Sequence, residues 1–178
     1  MDSTDTAGCT GASAAGAKVQ YALVGENELD AVMALEEVAF PADEAASRDG
    51  MAMRLAQAGE YFLGLYESET DELVGYVAAT LSAHDVLDHE CMSAHVADGH
   101  TLCIHSVVVA DRLRRQGLAV AMLKEYVARM AAKDNVRSLQ LIAKEYLHDL
   151  YTKAGFDRVG KSDVVHGADP WFLYKIDA

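Results

Sequence analysis

The 178-residue sequence has three cysteines, Cys9, Cys91 and Cys103, and no C-x-x-C pair. So few and so scattered a set supports neither a disulfide framework nor a thiolate zinc site. Basic residues are scarce: 15 Lys and Arg against 28 Asp and Glu give a formal net charge of −13. That shortage argues against nucleic acid as a partner, because phosphate neutralisation needs clustered Lys and Arg. No run approaches the roughly 18 apolar residues of a membrane span, so no membrane partner is expected. The opening MDSTDTAGCTGASAAGAK lacks a basic stretch followed by an apolar one, so a secretory signal is not expected and the cytosol is the expected location. Neither G-x-x-x-x-G-K-[ST] nor G-x-G-x-x-G occurs, which removes a P-loop and a Rossmann fingerprint.

What is present suits one soluble domain. Hydrophobic residues make up 51% and charged residues 24%, enough for a core under an ordinary surface. An acidic surface raises the local concentration of a cationic ligand. Residues 1 to 17 are mostly Ala, Gly, Ser and Thr, which bury too little apolar area to balance their ordering entropy. They are expected to be a disordered tail, leaving residues 18 to 178 as the domain.

The periodicity predicts a strand over Lys18 to Val24. Asn27 is expected to cap a helix that carries Leu29, Val32, Met33 and Leu35 on one side. Phe40-Pro41 ends it, because the residue before proline avoids helical geometry. A second helix is expected from Ser47 to Gln57. Tyr61 to Tyr66 and Leu73 to Leu81, joined by an acidic turn, read as a hairpin. Residues 82 to 100 are polar and irregular, with four histidines. Thr101 to Val109 has strand character. Helices are expected over Ala119 to Ala132 and Lys144 to Ala154, the latter ended by Gly155. Ser138 to Ala143, Phe156 to Gly160 and Trp171 to Ile176 complete the strands. This order predicts an α/β domain, a mixed and mostly antiparallel sheet with helices on both faces.

The segment from Val107 to Ala119 passes from a strand through Arg114-Arg115-Gln116-Gly117-Leu118-Ala119 into a helix. The first N–H groups of a helix lack internal partners, and the helix dipole adds positive charge there. Such an end accepts phosphate oxygens, and Gly117 and Ala119 allow close approach. Taken alone, the loop also fits an ordinary strand-to-helix turn.

The loop resembles the [RQ]-x-x-G-x-[GA] motif of the Gcn5-related N-acetyltransferases (GNAT). Val107-Val108-Val109 resembles their strand that pairs with the pantetheine arm. Leu150-Tyr151-Thr152-Lys153-Ala154-Gly155-Phe156 resembles their LY-x-x-x-GF signature. Within that superfamily the chain is similar to the arylalkylamine N-acetyltransferases and their fungal polyamine-acetylating relatives. Cys103-Ile104-His105 stands where vertebrate members have His-x-His, Glu36 to Pro41 resembles their E-x-x-A-F-P loop, and Trp171 falls at an aromatic position facing that Phe.

The resemblance implies acetyl-CoA as co-substrate, held by Val107, Val108, Val109, Arg114, Arg115, Gln116, Gly117, Leu118, Ala119 and Lys153. It implies a small primary amine as acceptor, with Phe40, Pro41 and Trp171 around it, and no metal. His105 would be general base and Tyr151 the acid that protonates the coenzyme thiolate. Transfer would be direct, with a backbone N–H near Val107 or Val108 on the oxyanion. Cys103 in place of the first histidine leaves His105 to act alone or with another group. From the residues alone, His105 could equally be a buried core histidine. Asp43, Glu44, Asp85 and Asp88 are candidates to attract a cationic amine. Other readings stay open: a polyamine or protein lysine as acceptor, a Cys103–His105 acyl-enzyme, a metal among the histidines, and a non-catalytic acetyl-CoA sensor.

Overall fold

The computed structural model describes residues 12–14, 17–164 and 166–178. In chain order the elements are β1 (Ala12–Ala14), β2 (Ala17–Leu23), α1 (Leu29–Ala39), α2 (Arg48–Ala58), β3 (Phe62–Glu67), β4 (Leu73–Ser82), β5 (Thr101–Val109), α3 (Leu118–Ala131), β6 (Ser138–Ala143), α4 (His148–Lys153), β7 (Asp157–Lys161) and β8 (Phe172–Asp177). Among the described residues they form one eight-stranded sheet in the order β1-β2-β3-β4-β5-β6-β8-β7. Every neighbouring pair is antiparallel except β5 with β6. The expected mixed, mostly antiparallel α/β architecture is the one observed. Most of the tail expected over residues 1 to 17 lies outside the described residues; within it, β1 pairs with β2.

Helices cover both faces. On one, Val32 and Met33 of α1 and Met51 and Leu55 of α2 pack on Phe62, Tyr76, Ala78 and Val108. On the other, Met122, Leu123, Tyr126 and Met130 of α3, with Tyr151 and Ala154 of α4, pack on Leu63, Val77, Leu81, Leu102 and Ile104. The α3 residues recur at helical spacing, which is why one stripe of that helix is buried. Asn27 does not cap α1. It lies inside a 3-10 turn, Glu26–Glu28, where the Glu28 carboxylate turns back to accept the Gly25 N–H at 2.8 Å. Ser47 does cap α2, its Oγ accepting from the Gly50 N–H at 3.1 Å.

Two irregularities of β5 shape a cleft beside it. Its pairing with β6 runs only from Thr101↔Ser138 to Ile104↔Leu141, after which the strands part. Opposite β4, Ala79 faces Ile104 and Ala78 faces Ser106, so His105 is the extra residue of a β-bulge.

The end of α4 explains the Leu150 to Phe156 motif. Gly155 takes φ of 102°, its N–H bonds to the Thr152 carbonyl at 3.0 Å, and the Phe156 N–H bonds to the Tyr151 carbonyl at 3.0 Å. This pair of reversed bonds is a Schellman closure, which commonly brings a hydrophobic contact between its two ends. Here that contact is Tyr151 against Phe156, ring centroids 6.1 Å apart and edge to face. Gly155 is therefore required by its backbone conformation, not by crowding, since an added Cβ would meet only Ile176 Cδ1 at 3.9 Å. Gly155→Ala is expected to cost about 1–2 kcal/mol, read from the shift in urea midpoint at unchanged slope.

Candidate active site

The parting of β5 from β6 opens a cleft of about 930 Å³. It runs from the start of α3, past β5, to the α1–α2 connection and the β7–β8 loop. Its walls include Val107, Val108, Val109, Arg114, Arg115, Gly117, Leu118, Ala119, His105, Tyr151, Phe40, Pro41 and Trp171. Two residues expected at the cofactor do not line it. Gln116 turns back, its Nε2 donating to the Arg112 carbonyl at 3.4 Å, and Lys153 is exposed at the end of α4.

At the α3 end, Arg115 and Gly117 both take left-handed conformations, with φ of 62° and 80°. A Cβ at Gly117 would meet nothing within 4 Å, so the backbone there is open to the cleft. Gly117 also ends the run of free amides: the first helical bond is from the Ala121 N–H to the Gly117 carbonyl, at 3.0 Å. The N–H groups of Leu118, Ala119 and Val120 precede that bond and aim out of the helix end. Arg114 is held elsewhere, its Nη1 2.6 Å from Asp111 and its Nε donating to the Val109 carbonyl at 3.0 Å. Arg115 makes no ion pair with a described residue. Among the described residues no strand pairs with the edge of β5 beyond Ile104 on the β6 side, so backbone groups there face the cleft.

At the centre, the bulge sets His105 and Ser106 toward the α1–α2 side together. His105 Nε2 is 2.7 Å from Thr80 Oγ1, and that hydroxyl donates to the Cys91 carbonyl at 3.1 Å. A hydroxyl has one proton. With it on the carbonyl, Nε2 must be the donor, which assigns the lone pair to Nδ1. Nδ1 is buried and has no partner among the described residues. Burial, and secondarily the Arg54 guanidinium, hold the His105 pKa well below the ordinary range, so the ring is neutral at neutral pH.

Sequence reasoning missed the polar group under this histidine. Glu36, 1% exposed, accepts from the Ala46 N–H at 2.9 Å, the Ser106 hydroxyl at 3.2 Å and the Tyr76 hydroxyl. Arg54, 5% exposed, donates Nη2 to the Met92 carbonyl at 3.1 Å. Both line the cleft. Glu36 did appear in the E-x-x-A-F-P resemblance, but its partners lie far off in sequence, and Arg54 reads locally as a surface helix position.

Tyr151 is buried, its ring against Tyr174 at 5.4 Å. Burial, then the nearby Tyr146 and Tyr174, raise its pKa, so the hydroxyl keeps its proton. Cys103 shares the His105 face yet does not line the cleft. It packs with Leu87, Cys91 and Val164, and contact with the Cys91 thiol together with burial pushes its own thiol pKa far up. A thiol so held is a poor nucleophile.

Of the acidic candidates, Asp43 and Glu44 line the cleft, whereas Asp85, Asp88 and several of the histidines are engaged away from it. Asp85 pairs with His100 at 2.8 Å and Asp88 with His84. Glu44 pairs with Lys144 at the mouth of the cleft. His95 Nδ1 accepts the Leu81 N–H at 3.1 Å. Among the described residues no group of three or more His, Cys, Asp or Glu stands close enough to hold a metal ion, and no helix is long and apolar enough to cross a membrane.

This fold, with a cleft between diverging parallel strands and a glycine-led helix at one end, agrees with what comparison finds. The acetyltransferase (GNAT) family model matches residues 29–156, and the chain belongs to that family. It is 28% identical to the serotonin N-acetyltransferase of Mesocricetus auratus over 109 residues, 61% of this chain and 52% of that one. The Homo sapiens enzyme of the same name is 26% identical over the same shares. The chain thus spans about half the length of the curated relatives it matches. Among solved structures, the loading GNATL domain of CurA from Lyngbya majuscula superposes with a TM-score of 0.79 at 13% identity, covering 89% of this chain and 97% of that one. Diaminobutyrate acetyltransferase EctA from Paenibacillus lautus, in complex with L-2,4-diaminobutyric acid and coenzyme A, gives 0.64 at 19%, covering 91% and 96%. Arabidopsis thaliana NAA60 in complex with acetyl-CoA gives 0.69 at 12%, covering 89% and 98%. At such identities these structures bear on the fold alone.

The His105 shift has a consequence for stability. In the unfolded chain the imidazole titrates near about pH 6.5. In the folded protein its pKa is lower, so below about pH 6.5 the unfolded state binds a proton that the folded state does not, and stability falls with falling pH. His105→Gln is expected to show a shallower loss of Tm between about pH 7 and 5 than the unsubstituted protein. Parallel curves would contradict the burial of this ring.

Proposed function

We propose that the protein transfers the acetyl group of acetyl-CoA directly to a small primary amine of arylalkylamine type. The observation that carries the reading is the continuous cleft that joins the open α3 amides at one end to His105 and Tyr151 further in. The coenzyme's diphosphate would lie on the N–H groups of Leu118, Ala119 and Val120, beside the open face of Gly117 and near Arg115. Its pantetheine arm would run along the free edge of β5 from Val109 toward Val107, which brings the thioester to the bulge.

There an amine must first lose a proton, since an alkylammonium titrates near about 10. His105 is neutral at working pH and offers Nδ1, directly or through one water. Its depressed pKa makes it a weak base, so holding the two substrates together supplies much of the acceleration. As the amine nitrogen bonds to the thioester carbon, a backbone N–H at Val107 or Val108 would stabilise the oxyanion. The carbon–sulfur bond then breaks, and Tyr151, still protonated, donates to the leaving thiolate. Phe40, Pro41 and Trp171 would surround the acceptor's side chain. The high pKa and outlying position of Cys103 disfavour an acyl-enzyme.

The test is release of free thiol from acetyl-CoA on adding amines. Phenylethylamines or indolethylamines should be turned over. His105→Ala should lower kcat/KM by about a hundredfold or more, and Tyr151→Phe should lower kcat with little change in KM for either substrate. Cys103→Ala should keep appreciable turnover. Binding of acetyl-CoA without thiol release across a broad amine panel would replace this reading with that of a sensor.

A further inference from the structure

Lys144 sits in a site built like a receptor for a cation. Its Nζ is 5.5 Å from the centroid of the Trp171 ring. It is also 2.5 Å from Glu44 Oε1 and 3.4 Å from Asp169 Oδ2. These groups come from the β6–α4 connection, the α1–α2 connection and the β7–β8 loop, so the ammonium draws three segments together. The Lys144 and Glu44 side chains are only 15% and 10% exposed, which shields the pair from solvent screening. Trp171 is fixed independently, its Nε1 donating to the His166 carbonyl at 2.6 Å and its ring edge to face with His166 at 5.8 Å. An aromatic face flanked by carboxylates is the chemistry that holds an alkylammonium. Lys144, Glu44 and Trp171 all line the cleft in which the amine is proposed to bind.

We infer that Trp171, Glu44 and Asp169 form a distal ammonium subsite of the acceptor cleft, that Lys144 fills it, and that Lys144 thereby selects monoamines over diamines. The inference rests on the proposed function of the cleft. His105 and Lys144 line the same cleft, so a diamine long enough to span them that places one nitrogen at His105 brings its second ammonium to Lys144. That ammonium meets a like charge, and its aromatic and carboxylate partners are already taken. A monoamine with an uncharged tail meets no such repulsion. The Lys144 ammonium is held charged chiefly by its bond to Glu44, so the barrier persists across neutral pH. Removing it would leave the Glu44 carboxylate shielded and without a cation, a vacancy that a second ammonium satisfies.

The experiment measures thiol release by the full chain with acetyl-CoA and either 2-phenylethylamine or 1,5-diaminopentane. The unsubstituted protein should prefer the monoamine. In Lys144→Met the ratio of kcat/KM, diamine over monoamine, should rise by about tenfold or more, through a lower KM for the diamine. Lys144→Arg should hold the original ratio, and adding Glu44→Gln to Lys144→Met should abolish the gain. Equal or better use of the diamine by the unsubstituted protein overturns the inference, whether or not the variants fold. An unchanged ratio in a cooperatively melting Lys144→Met also overturns it. Either result leaves acetyl transfer standing. Absence of thiol release with every amine overturns the activity and the subsite together.

Discussion

Among the described residues the backbone of β5 beyond Ile104 has no strand on its β6 side, and that break in the sheet is what the rest of the site depends on. Buried backbone amides and carbonyls need partners, and a sheet ordinarily supplies them from strand to strand. Here β5 and β6 pair over four residues and then part, leaving polar backbone along the inner wall of a cleft. A ligand with amide groups of its own can satisfy that wall as an added strand would. The same divergence sets the start of α3 at one end of the opening and α4, with Tyr151, beside it.

A polar group fixed from below holds the other wall. Glu36 accepts three hydrogen bonds from α1–α2 backbone, β4 and β5, tying Ala46, Tyr76 and Ser106 to one carboxylate. A buried charge satisfied in this way specifies position more than it adds stability. Ser106 follows His105 in the bulge, so the anchor also sets where the imidazole points. Thr80 fixes the ring from β4 and donates its hydroxyl hydrogen bond to the Cys91 carbonyl. The segment from 83 to 100, which reads in sequence as a loop rich in histidines, supplies through Cys91 and Met92 the carbonyls that position His105 and Arg54.

Local signals in the sequence carry most of the fold. Alternation and β-branching mark the strands, helical spacing marks α1 and α3, and the Gly117 and Gly155 motifs locate the start of α3 and the end of α4. The misses share one cause. Asn27 has the residue type of a cap, but the turn already begins at Glu26, with Gly25 at its head and Glu28 closing back on the Gly25 N–H. The contacts of Glu36 with Tyr76 and Ser106 and of Lys144 with Glu44 span from 40 to 100 residues. No periodicity announces them, because they exist only once the sheet and both helical layers have formed. The bulge at His105 is equally hidden, since it is a mismatch of register between two strands and not a property of either.

The proposed acetyl transfer requires the coenzyme to enter this cleft between β5 and the start of α3. A crystal structure of the protein soaked with acetyl-CoA tests this most directly. Diphosphate oxygens are expected within hydrogen-bond distance of the N–H groups of Leu118 to Val120, amides of the arm on the free edge of β5, and sulfur beside the Tyr151 hydroxyl. Coenzyme bound outside the cleft, or within it with its diphosphate away from Gly117, would contradict that arrangement.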